Sequence, residues 1–194
     1  NARAFILCTL LDELGDEPPS VSLNRLATTY LAFLAAALND ERGRFRNFMS
    51  HGRLWREEVG SEDSHGRAVW AAGTGAGRSR NVGHRNLAKK HFEASVEAIV
   101  GFTSPRAWAF GLLGIHEYLR EFPTTPELDA LRSVLTRKIL NIWDEYSSAD
   151  WPWFEGSLTY ENARLSQALI LSGLWMSHPR ALEIGLHSLK WLGS

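Results

Sequence analysis

The sequence predicts an all-α fold built from antiparallel helix hairpins, and three observations carry that prediction. Apolar residues recur at helical spacing through eight segments, several of which open on a capping residue followed by proline. Segments apolar on every side alternate with segments apolar on one side only. Buried-type segments start near 61, 105 and 160, about every 45 to 55 residues, which is one hairpin per repeat.

In chain order the segments are 2–15, 20–38, 61–73, 82–100, 105–121, 126–146, 160–176 and 179–192. The first is small and apolar all round over 4–11, and Gly15 supplies its stop. The second is too apolar for a plain outer helix. Ser61-Glu62-Asp63 opens the third with a cap and two acids that complement the helix dipole, and Gly73 suits its end. The stretch Gly73-Thr74-Gly75-Ala76-Gly77-Arg78-Ser79-Arg80 then reads as a flexible linker. Segment 82–100 is one-sided, through Leu87, Phe92, Val96 and Ile99. Ser104-Pro105 opens the fifth segment, apolar over 107–115. Thr125-Pro126-Glu127 opens the sixth, whose stripe runs Leu128, Leu131, Leu135, Ile139, Ile142 and Tyr146. The seventh is apolar again over 168–175, and His178-Pro179 opens the last. The loop 40–60 is long but holds Phe45, Phe48, Met49, Leu54 and Trp55. It is therefore expected to be ordered, with a short strand or hairpin over 45–49.

Helices apolar on every side must be buried on every side, so the alternation predicts two concentric helical layers. The buried helices then all point one way. Their starts place 40–65, 101–108 and 148–164 on one face, although these segments are distant in sequence.

Composition narrows the function classes. The chain has 194 residues, 44% apolar and 22% charged, which is ordinary for one globular domain. A net charge of −1 argues against a nucleic-acid surface. The longest apolar stretch, 26–38, is interrupted by Thr28 and Thr29 and falls short of the roughly 18 residues a membrane span needs. The lone Cys8 sits in an apolar run and reads as a small buried hydrophobe; it fits a reducing, cytoplasmic compartment. The chain opens without Met, and Asn1 leads straight into an apolar helix. This reads as a single domain, 1–194, truncated at its N-terminus.

Two constellations stand out. Val59-Gly60-Ser61-Glu62-Asp63-Ser64-His65-Gly66-Arg67 crowds two carboxylates, an imidazole and a guanidinium into the start of a buried helix. Capping accounts for the acids but not for His65 and Arg67. Asp150-Trp151-Pro152-Trp153-Phe154-Glu155, followed by Thr159-Tyr160-Glu161-Asn162-Ala163-Arg164, sets aromatics among acids before another buried helix. Aromatic faces with carboxylate, amide and guanidinium groups around them are a means of gripping a sugar. The plainer reading is an aromatic plug at the end of the helical layers, to which Trp151 fits best. Paired carboxylates on a concave face also suit glycoside cleavage. No cofactor or metal is called for. The glycine run lacks a preceding strand, His84 and His91 lack a carboxylate at ligand spacing, and no nucleophile elbow or zinc-helix motif is present.

Arg44-Phe45-Arg46-Asn47-Phe48-Met49, the run from Val59 through Arg67-Ala68-Val69-Trp70, and the run from Asp150 to Leu165 together resemble a bacterial six-hairpin glycosidase-like domain. That domain occurs with, or is described as, a group-one glycosyltransferase. The resemblance spans about residues 20–193. It implies an (α/α)6 toroid, of which four hairpins are present here, and a role in sugar chemistry.

The expected function is thus a carbohydrate-active domain that binds, and in its fullest form hydrolyses, an oligo- or polysaccharide. Glu62, Asp63, Glu155 and Glu161 are its candidate catalytic acids, with Asp63 as acid or base. His65, Arg67, Asn162 and Arg164 are placed to hold hydroxyls, and Trp55, Trp108, Trp153 and Tyr160 to stack on sugar rings. Two alternatives stand beside it: a non-catalytic glycan-binding module of a glycosyltransferase lying upstream, and a helical scaffold for protein partners.

Overall fold

The computed structural model describes residues 1–15 and 22–194, and the first two residues of the predicted segment 20–38 lie outside them. The fold is predominantly helical. Its helices are α1 (Ala2–Leu14), α2 (Leu23–Ala37), α3 (Glu62–Arg78), α4 (Val82–Ser95), α5 (Pro105–Tyr118), α6 (Pro126–Tyr146), α7 (Ala163–Trp175) and α8 (Pro179–Leu192). A 3-10 turn, Val96–Gly101, continues α4. Each odd-numbered helix packs against the even-numbered helix after it, and α1, α3, α5 and α7 form a row of neighbours. Among the described residues no helix is long and apolar enough to cross a membrane.

The starts are set by local chemistry. Ser61 Oγ accepts from the Ser64 N–H at 3.2 Å. Thr125 Oγ1 accepts from Leu128 N–H at 3.3 Å, and His178 Nδ1 from Ala181 N–H at 3.2 Å. Each of the last two precedes a proline at the first helical position.

Charged groups at both ends show that the row runs one way. At the C-terminal end, Arg78 of α3 donates to Glu13 of α1 at 2.7 Å and to Glu117 of α5 at 3.1 Å. At the N-terminal end, Arg67 of α3 donates to Glu161, just before α7, at 2.9 Å.

The glycine run is the first correction to the sequence reading. Residues 73–78 are not a linker, and Gly73 does not end the helix. They are the last turns of α3, buried from Gly73 to Ala76. A Cβ at Gly73 would lie 2.1 Å from the Gly114 carbonyl oxygen, and one at Gly77 would lie 1.8 Å from that of Glu117. At the other end, a Cβ on Gly66 would meet the Ala107 Cα at 3.0 Å. The glycines are there because α3 and α5 touch backbone to backbone.

A second correction concerns the ends of the row. Helices α3 and α5 have neighbours on both sides, but α1 and α7 have an open flank. Leu7 is 56% exposed and Leu174 60%, where the sequence reading buried both helices all round.

The loop 40–60 is ordered, as expected. Leu38–Asn39 (β1) pairs antiparallel with Arg44–Phe45 (β2), and Met49 bridges Trp55. Gly43 turns the hairpin with a φ of 60°. The aromatic stretch 151–154 closes the other side of the core. The Trp151 and Trp153 rings both pack on Trp191, and that of Phe154 packs on Trp143.

Gly73→Ala is expected to destabilise the fold by about 3 kcal/mol or more, because backbone cannot yield to the new methyl group. Intrinsic helix propensity alone would favour the alanine by about 1 kcal/mol. Gly101→Ala meets nothing within 4 Å and should change stability by less than about 0.5 kcal/mol. Urea unfolding of both variants measures the contrast.

Candidate functional site

The starts of α3, α5 and α7 meet as the hairpin repeat requires, and their polar side chains form one connected network. Arg67, on the first turns of α3, donates through Nε to Asp63 at 2.9 Å and through Nη1 to Glu161 at 2.9 Å. Its guanidinium lies 4.7 Å from the Phe110 ring centre. Arg164 of α7 donates to the other Glu161 oxygen at 3.2 Å and lies 4.7 Å over the Trp70 ring. Arg3 of α1 approaches Glu161 at 3.6 Å.

A second arginine anchors the loop 148–162. Arg106 of α5 is only 4% exposed. It donates to both Glu155 oxygens at 2.8 and 2.7 Å, to the Tyr160 carbonyl at 2.6 Å and to the Asn162 side-chain oxygen at 3.0 Å. Tyr160 links the two arginines. Its hydroxyl donates to Asp63 at 2.9 Å, and its ring centre lies 4.7 Å from the Arg106 guanidinium and 5.6 Å from that of Arg67. Nearly half of Tyr160, 47%, remains exposed.

Glu161 is the strained member. Its φ is 50°, a left-handed conformation that costs a non-glycine residue on the order of 1–3 kcal/mol. Burial pushes its carboxyl up, but the Arg67 and Arg164 donors outweigh that and hold it below the usual carboxylate range. For Tyr160, burial and the hydrogen bond to Asp63 both push the phenol up.

The remaining sequence-predicted residues fall elsewhere. Glu62 turns from the network and accepts the backbone N–H groups of Thr103 and Ser104 at 2.8 and 2.7 Å, so it fixes the loop entering α5. His65 is fully buried. Its Nδ1 accepts from the Phe45 N–H at 3.1 Å, and its Nε2 donates to the Ser95 carbonyl at 3.0 Å. With both nitrogens used, it joins the 40–60 loop to α3 and meets no surface. Trp153 is fully buried. Trp108 is 7% exposed, with its indole N–H on the Phe102 carbonyl at 2.8 Å. Neither offers a face to a sugar. Trp55 is half-buried, edge-on to Phe33 and 5.7 Å from the Arg46 guanidinium.

Arg106 and Arg3 were missed in the sequence reading. For Arg106 a signal existed: it is a guanidinium in the first turn of a helix that is apolar over 107–115. Among the described residues no group of three or more His, Cys, Asp and Glu is placed to hold a metal. A cavity of about 460 Å³ lies away from the network, between the α4 and 3-10 segment and α6. It is lined by apolar residues such as Phe92, Val96 and Leu131 together with Glu93, Glu97 and Glu127, and contains none of the network's groups. A smaller one, about 260 Å³, borders the network through Arg67. Comparison with family models, curated proteins and solved structures returns no match for the chain.

His65 gives the fold a pH signature. Burial pushes its imidazole down to about 4, with Arg44 acting in the same direction against the Ser95 carbonyl. Unfolded, the group titrates near 6.5. Between those values the unfolded chain binds a proton that the fold refuses. The His65 contribution is therefore complete above about pH 6.5 and lost as pH falls towards 4, on the order of 3 kcal/mol in all. Unfolding free energies of wild type and His65→Gln across pH 7 to 4 should converge as pH falls. Parallel curves would assign the acid sensitivity to other groups.

Proposed function

We propose that this chain is a glycan-binding domain of the α/α-toroid type, with its ligand on the face made by the starts of α1, α3, α5 and α7. The observation that carries this reading is Tyr160. An aromatic ring 47% open to solvent is fixed by Asp63 and flanked by two guanidinium groups. A ring face supplies apolar contact for sugar C–H groups, while the surrounding donors and acceptors orient hydroxyls. In favour of the toroid are the same-facing row of inner helices and the open flanks of α1 and α7. A closed ring buries such flanks against further inner helices.

Binding without turnover is the better-supported form. Glycoside cleavage needs one carboxyl kept protonated as general acid. Here each network carboxylate already accepts from arginine, and Glu161 is held below its ordinary range. Such a module suits an accessory role beside a glycosyltransferase. Hydrolysis is kept as a second reading by one observation. Asp63 and Glu161 converge on the same Arg67, beside the exposed ring.

Glycan-array screening followed by calorimetric titration tests the proposal. Tyr160→Ala should weaken binding at least tenfold, and Asp63→Asn severalfold, with no sugar released by the wild type. Release of reducing ends that Asp63→Asn abolishes would replace the non-catalytic reading with hydrolysis. Unchanged affinity in Tyr160→Ala would move the ligand off this face.

A further inference from the structure

The cavity bordering the network carries the electrostatic sign that the network itself hides. Within the network three arginines, Arg67, Arg106 and Arg164, face three carboxylates, Asp63, Glu155 and Glu161. Its charges are mutually satisfied. The 260 Å³ cavity beside it is different. Arg3, Arg46 and Arg67 line it with Phe33, Asn47 and Ser64, and among the described residues no carboxylate lines it.

Two of these cations are under-used. The Arg46 guanidinium rests 5.7 Å from the Trp55 ring and makes no hydrogen bond or ion pair among the described residues. The Arg3 side chain is 73% exposed, and among the described residues it has only the long 3.6 Å approach to Glu161. The acids beside the cavity already have partners. Glu57 accepts from the backbone N–H groups of Asn47 and Phe48, the latter at 3.0 Å, and Glu161 serves Arg67 and Arg164. Guanidinium groups form paired, charge-assisted hydrogen bonds with carboxylate, sulfate or phosphate. The cavity is also smaller than the roughly 300–1,000 Å³ of drug-sized sites, so it suits one sugar ring rather than a chain.

From this we infer that the glycan is anionic, and that the cavity lined by Arg3, Arg46 and Arg67 takes a sugar unit bearing an oxyanion. The inference rests on the glycan-binding reading above and names the substrate class of that same face. Tyr160 holds the neighbouring unit, and the oxyanion lies against Arg46 and Arg3. The shared chemistry is a negatively charged ring substituent. Carboxylated, sulfated and phosphorylated sugars are its possible sources.

The test is a glycan array carrying neutral, uronate- or sialate-bearing, sulfated and phosphorylated glycans, probed with the whole chain. Calorimetry on the strongest binder then compares wild type, Arg46→Gln and Arg3→Gln. Arg3→Gln alters an exposed side chain and leaves the fold intact. Expected are hits confined to anionic glycans, at least a tenfold loss of affinity in Arg46→Gln, a smaller loss in Arg3→Gln, and weakening as salt rises. The anionic class bound separates carboxylate from sulfate and phosphate. Neutral glycans bound as well as anionic ones, or affinity unchanged in both variants, would overturn the anionic assignment and leave glycan binding standing. Binding to no glycan would remove both.

Discussion

Helices α3 and α5 meet through their backbones, at Gly66 against Ala107, Gly73 against Gly114 and Gly77 against Glu117. The partners are offset by almost the same number of residues along the whole contact, so the two helices run parallel and in register. Two parallel helices at that distance must present their starts side by side. Arg67 and Arg106, each in the first turns of its helix, are therefore near enough to share Tyr160. Larger residues along the seam would separate the helices, and with them the two halves of the polar network.

That arrangement has an electrostatic consequence. Helix starts carry partial positive charge, and these two also carry guanidinium groups that are largely withdrawn from water. Removing such a charge from water costs several kcal/mol unless partners replace the lost solvation. Asp63, Glu155 and Glu161 do so, and two of them come from the loop 148–162, which has no regular structure of its own. The loop is held in place because the arginines require it. Glu161 keeps an unfavourable left-handed backbone for the same reason: its carboxylate is bound from α3 and α7 at once.

Periodicity and caps made the helices and their shared direction legible, because both are local signals. The end of α3 was not. Three glycines and an alanine within the five residues 73–77 look like a linker, and only a neighbouring backbone turns them into a helix seam. The convergence of 40–65, 101–108 and 148–164 followed from the repeat. Which aromatics face outward did not follow. Trp153 and Tyr160 stand in the same motif, yet Trp153 is fully buried against Phe154 and Trp191 while Tyr160 stays open. An irregular loop has no period from which to assign faces. His65 shows the same limit: it sits among the polar residues at the start of α3, but its side chain turns inward to Phe45 and Ser95.

A network this fully paired limits what a ligand can gain from it. A hydroxyl that displaces a carboxylate from Arg106 exchanges a strong charge-assisted bond for a weaker one. Contacts to the interior of the network are therefore close to neutral or unfavourable, and they position the surrounding groups rather than attract a ligand. Favourable interactions remain where capacity is unspent: the open ring of Tyr160 and the guanidinium groups of Arg46 and Arg3. Affinity and selectivity should then lie at the rim of the site, and the buried arginines should act through the shape they give it. The same balance explains why substitution of a buried arginine is a poor probe of recognition. It removes the frame and the rim together, whereas a change at Arg46 alters the rim alone.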